Sequence, residues 1–104
     1  MPQLIIDAEH ETLTHETRIT YVIAVMNDTA EEHDLGTLTA MFVDAESSAV
    51  TDLHLDIPQT ELDQLPVVNA LHLIALVLKA AVDACTDETE IPMCPEEPFF
   101  VAFD

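Results

Sequence analysis

Between Arg18 and Met26 the chain alternates Ile19, Tyr21, Ile23 and Val25 with Thr20, Val22, Ala24 and Met26. A period of two in β-branched and aromatic residues, with both faces fairly apolar, predicts a central strand. Thr37 to Asp44 predicts the next strand, with Leu38, Ala40 and Phe42 facing one way and Thr37, Thr39, Met41 and Val43 the other. Val50 to Ile57 alternates most cleanly, placing Leu53, Leu55 and Ile57 inward and Asp52, His54 and Asp56 outward. Upstream, Leu4-Ile5-Ile6 is a short β-like run, and the polar stretch Asp7 to Thr17 reads as a loop or as its continuation. Asn27 to Gly36 ends at the only glycine and predicts a hairpin loop longer than a tight turn; Ala45 to Ser48 predicts a second turn.

The pattern then changes to a helical one. Pro58 to Pro66 carries Thr60, Glu61 and Asp63, suited to a short helical turn, and Pro66 fits the first turn of a longer helix running to about Cys85. Asn69, His72, Lys79 and Asp83, with Leu76, form a narrow stripe, and nearly everything else on the helix is apolar. Leu71, Ile74, Leu78 and Val82 are the expected core face, against Tyr21, Ile23, Phe42, Leu53 and Leu55. So wide an apolar surface exceeds what one small sheet face covers, which predicts a second contact with the tail, a second copy of the chain or another partner. Thr86 to Pro98 reads as an acidic, Pro-rich loop, and Phe99 to Phe103 as a closing strand. The expected fold is a single α+β domain over residues 1–104: an antiparallel β-meander of three to five strands with one long α-helix packed on one face.

Charge changes this picture from the outside. The chain has 21 Asp and Glu against two basic residues, Arg18 and Lys79, for a formal net charge of -19. Disordered acidic chains are poor in hydrophobic residues, whereas this one is 49% hydrophobic with a mean hydropathy of +0.23. An apolar core inside an acidic shell follows. Such a shell repels nucleic acid and anionic membranes and steers positive partners toward itself. The longest apolar stretch, Ala70 to Ala84, is broken by His72, Lys79 and Asp83, short of the ~20 apolar residues of a membrane span. Met1-Pro2-Gln3 lacks the basic start and apolar stretch of a secretory signal, so the expected location is cytoplasmic, or the host cytoplasm for a viral chain.

Site chemistry adds little. His10 and His15 flank Glu11 five residues apart, not the four that put two zinc ligands on one helical face. His54 lies between Asp52 and Asp56, an arrangement that makes no specific metal site; His72 reads as a partly buried, hydrogen-bonded residue and His33 as part of a solvated loop. Cys85 and Cys94 are expected as reduced thiols, and their acidic neighbours disfavour a thiolate nucleophile. A single glycine excludes phosphate-cradling loops, and no window has an EF-hand's acid spacing. No catalytic residue, metal or cofactor is expected, and an enzyme ranks last among the readings.

Three readings of the acid remain. In the first, carboxylates imitate the charge ladder of DNA, about one charge per 1.7 Å of duplex, and occupy the basic groove of a nucleic-acid-binding protein. In charge and size alone, with no motif in support, the chain resembles the compact acidic inhibitors that viruses use against host nucleases, including restriction and CRISPR systems. The residues expected to carry binding are Asp28, Glu31, Glu32 and Asp34 in one loop and Asp87, Glu88 and Glu90 in another, taken as neighbours. The second reading is an assembly or adaptor subunit docking through its apolar helix. The third is salt adaptation, against which stand seven isoleucines and a scarcity of arginine as well as lysine.

Overall fold

The structure, a computed structural model, describes residues 3–29, 31–43, 50–65, 69–85, 91 and 93–102. Five strands, β1 (Gln3–Thr12), β2 (Thr17–Met26), β3 (Glu32–Phe42), β4 (Val50–Asp56) and β5 (Phe99–Ala102), form one antiparallel sheet in the order β4-β3-β2-β1-β5. Two helices, α1 (Gln59–Leu62) and α2 (Ala70–Ala84), lie between β4 and β5 in sequence. The protein is thus a small α+β domain whose first four strands make a meander and whose last strand returns beside the first. The expected closing strand is β5; Phe103 lies outside the described residues.

Strand alternation sorts the side chains. Leu4, Ile6, Ile19, Tyr21, Ile23, Leu38, Ala40, Phe42, Phe99 and Val101 share one buried cluster, to which α2 adds Leu73, Val77 and Ala81. Tyr21 is fully buried at its centre, edge-on to Phe99 at 6.4 Å between ring centroids. Its hydroxyl donates to the Met93 carbonyl at 2.5 Å, so the one polar tip in this cluster is satisfied. Burial above all, and then the nearby Cys94 and Cys85, push the Tyr21 phenol far above its ordinary value of 10.0.

Of the two readings of the polar stretch after Ile6, the strand continuation holds as far as Thr12, where ten consecutive pairings with β2 carry β1. Other expectations need correcting. The region from Asn27 to Gly36 is not one long loop. Asn27 Oδ1 accepts from the Thr29 and Glu31 amides and the Thr29 hydroxyl, closing a short turn, and β3 begins at Glu32. Gly36 lies inside β3, at a bulge against Ile23 and Ala24, with φ +157°. There an added Cβ would come within 2.2 Å of the Asp56 carbonyl oxygen, so the glycine allows β4 to approach rather than ending a loop. Leu53 points to the core side but stays 39% exposed, because β4 is an edge strand. Val43 is the last described residue after β3, and the expected turn at Ala45–Ser48 lies outside the described residues.

The helix starts later than expected, and its inward side only partly matches the expected one. Asn69 caps it, its Oδ1 accepting from the His72 amide at 2.9 Å; Pro66 lies outside the described residues. His72 is exposed rather than partly buried. The buried positions are Leu73, Val77 and Ala81, whereas Leu71 is 77% and Val82 51% exposed. Of the expected face, Ile74 and Leu78 do pack against the core while Leu71 and Val82 do not, because apolar residues occupy most of the helix circumference and periodicity could not choose among faces. Within the expected C-terminal loop, Ile91 and Cys94 form a bridged turn, and Cys94 and Pro95 are buried.

Candidate functional site

Residues that pair across antiparallel strands project to the same side of a sheet. Following the register across the molecule gives five rows on the side away from the buried cluster: Glu11, Arg18, Met41 and Asp52; Glu9, Thr20, Thr39 and His54; Asp7, Val22, Thr37 and Asp56; Phe100, Ile5, Ala24 and Asp34; Ala102, Gln3, Met26 and Glu32. Every acid in the five strands, namely Asp7, Glu9, Glu11, Glu32, Asp34, Asp52 and Asp56, falls on this side and is exposed. None falls on the other.

The acids also keep to the flanks. β1 carries a column of three, β4 carries Asp52 and Asp56, and β3 extends the second flank with Asp34 and Glu32. Spacing within a column is about 6.8 Å, and three strand separations put β1 about 14 Å from β4. Between the flanks run the threonines and apolar residues of β2 and β3, with Val22 42% exposed and Met26 half-buried, while Phe100, 56% exposed on β5, lies outside the β1 column beside half-buried Ile5. Arg18, the one base on the face, is paired with Glu11 directly across from it. A shallow hollow of about 390 Å³ lies against Glu9, Glu11, Arg18, Thr20 and Thr39.

The expected binding residues are placed unequally. Asp28 and Glu31 lie at the β2–β3 turn, continuing the acidic flank past Glu32, while Glu32 and Asp34 are on β3 rather than in a loop. Asp87, Glu88 and Glu90 lie outside the described residues. Sequence reasoning missed the β1 column, although its signal was present: Asp7, Glu9 and Glu11 recur every second residue, alternating with Ile6, Ala8 and His10.

Other chemistry is sparse. Cys94 Sγ sits 3.9 Å from His10 Nδ1, and Cys85 Sγ 3.9 Å from the Ile91 carbonyl; both thiols are free of disulfide. His33 lies on β3, not in a loop, and its Nε2 meets Glu61 Oε2 at 2.9 Å, tying β3 to α1. Among the described residues no three His, Cys, Asp or Glu side chains converge as a metal site, and no helix is long and apolar enough to cross a membrane. Compared with known proteins, the chain matches no family model, no curated protein and no solved structure at a significant level.

Proposed function

We propose that this protein binds a basic, nucleic-acid-binding surface of a partner protein through the acidic side of its sheet, acting as a non-enzymatic DNA mimic that denies nucleic acid its site. The observation that carries the reading is the sorting of all strand acids onto one exposed face in two flanking columns. Such a face offers a basic groove an extended field of fixed charge on a rigid scaffold. Val22, exposed between the columns beside Thr20, Thr37 and Thr39, adds an uncharged centre of the kind that protein interfaces combine with a charged rim. α2 lies across the opposite side of the sheet, a placement supported by Leu73, Val77 and Ala81 joining the buried cluster, and so leaves the acidic face open. An inhibitor of a nuclease of a restriction or CRISPR system, acting in a host cytoplasm, is the specific form of this proposal.

The test is competition. Immobilised protein is loaded with a bacterial lysate at low salt, then challenged with duplex DNA or with raised salt. A groove occupied by a mimic is released by both, because the carboxylates and the phosphates need the same basic residues. A variant with Asp7→Asn, Glu9→Gln, Asp52→Asn and Asp56→Asn should lose most of the capture and its salt dependence. A partner retained by that variant, indifferent to DNA, and lost on Leu71→Gln would replace mimicry with the adaptor reading.

A further inference from the structure

α2 carries a second apolar stripe that the fold covers only at Leu78, which packs against the core cluster. Leu71, Ala75, Leu78 and Val82 are spaced by four, three and four, the a/d repeat of a helix-pairing seam. Leu71, Ala75 and Val82 are exposed and Leu78 half-buried, while the core takes Leu73, Val77 and Ala81 from another side of the helix. We propose that this stripe pairs with the same stripe of a second copy, making an antiparallel two-helix contact about a two-fold axis.

Charge selects the occupant. In a chain of net charge -19, the segment from Ala70 to Ala84 contains one base, Lys79, and one acid, Asp83, and is formally neutral. Two copies therefore meet little repulsion along this helix, and Asp83 as its one carboxylate offers a basic partner little to hold. The seam is also self-complementary. In an antiparallel register centred between Leu76 and Val77, Leu71 meets the second copy's position 82 and Ala75 meets its position 78, so large residues face smaller ones. The same register sets Asp83 beside the other copy's helix N-terminus, where its negative charge is favoured. Four side chains make an interface well below the ~1,200–2,000 Å² of a standard stable complex, so the dimer is a weak one that forms at high protein concentration.

Its signature is a salt dependence opposite in sign to that of binding a basic partner. Two like-charged bodies are held apart in dilute buffer, and screening removes the obstacle without weakening apolar contact. Sedimentation equilibrium of the intact chain should show a dimerisation constant at least about tenfold higher near ~0.5 M salt than near ~0.02 M. The charge-neutral variants Leu71→Gln and Val82→Gln should remain monomeric at both, with an unchanged circular dichroism spectrum. Phe100→Gln, on the acidic face, should dimerise as the unaltered chain does. A chain that stays monomeric at sub-millimolar concentration in high salt overturns the inference, as does dimerisation that survives both helix substitutions or is abolished by Phe100→Gln. None of these outcomes depends on whether the acidic face mimics DNA.

Discussion

Ile6 and Asp7 are adjacent in β1 and belong to opposite environments: Ile6 is fully buried across from Ile23, and Asp7 is exposed across from Val22. Comparing the two sides of the sheet shows how a chain of this charge folds. On the core side, fully burying a residue such as Ile19 or Leu38 contributes about 1.5–3 kcal/mol. On the acidic side, two carboxylates ~6.8 Å apart in a column repel by about 0.6 kcal/mol in bulk water, and salt at ~0.15 M cuts this further. The β1 and β4 columns are ~14 Å apart, beyond the ~8 Å Debye length, so they scarcely sense each other. Keeping acids off β2, the central strand, makes that separation possible.

The largest effects should come from the core side. Leu38→Ala, at a fully buried position, should cost about 2–5 kcal/mol in urea denaturation, as should Leu73→Ala on α2. Leu53→Ala on the edge strand and Leu71→Ala on the exposed stripe should each cost less than about 1 kcal/mol. Equal losses at Leu53 and Leu38 would mean that the edge is as covered as the centre, and the contrast between the two would fail.

Gly36→Ala comes next, at about 1–3 kcal/mol. A methyl group at this position collides with the Asp56 backbone oxygen, and φ +157° strains any L side chain. Because Asp56 anchors the second acidic flank, the variant should loosen β4 selectively. Faster amide exchange on β4 than on β1 would show this, and uniform exchange would place the damage elsewhere.

These positions also mark what was readable from sequence. The meander, the return of Phe99 to the sheet and the short helix after Pro58 follow from alternation and proline placement, which are local signals. Gly36 was misread because a lone glycine after acids looks like a turn, while its actual role depends on Asp56, twenty residues away. The helix face was read only in part for a related reason: with apolar residues nearly all round, only the tertiary fold decides that Leu73 is buried and Leu71 is not. Of the acidic face proposed to bind, Asp52 and Asp56 were placed outward correctly, yet their relation to Asp7 and Glu9 exists only in the register, which brings four strands into rows.

Tyr21 sharpens the comparison through pH. Its phenol is held neutral by burial, so in the folded state it binds its proton to higher pH than in the unfolded chain. The resulting stability is complete below the unfolded value and is lost as pH rises past about 10, where only the unfolded chain ionises freely. Tyr21→Phe should remove this alkaline loss while costing about 1–2 kcal/mol at neutral pH for the hydrogen bond to Met93. Phenolate absorbance appearing before unfolding would show that water reaches the hydroxyl.

The smallest effect should be found among the acids, and its sign is informative. Asp7→Asn removes one member of the β1 column and leaves its neighbour Glu9 with one fewer like charge two residues away. Stability should therefore rise, by no more than about 0.5 kcal/mol in dilute buffer, and Asp7→Asn combined with Glu9→Gln should raise it slightly more. Both gains should shrink toward zero at high salt, since the repulsion they relieve is already screened there. Chemical denaturation by urea, which adds no ions, measures this at both salt levels. A loss of stability on Asp7→Asn would mean that the carboxylate holds a favourable contact within the fold. In that case the acidic side would be part of what stabilises the sheet, rather than a surface kept charged for something outside it.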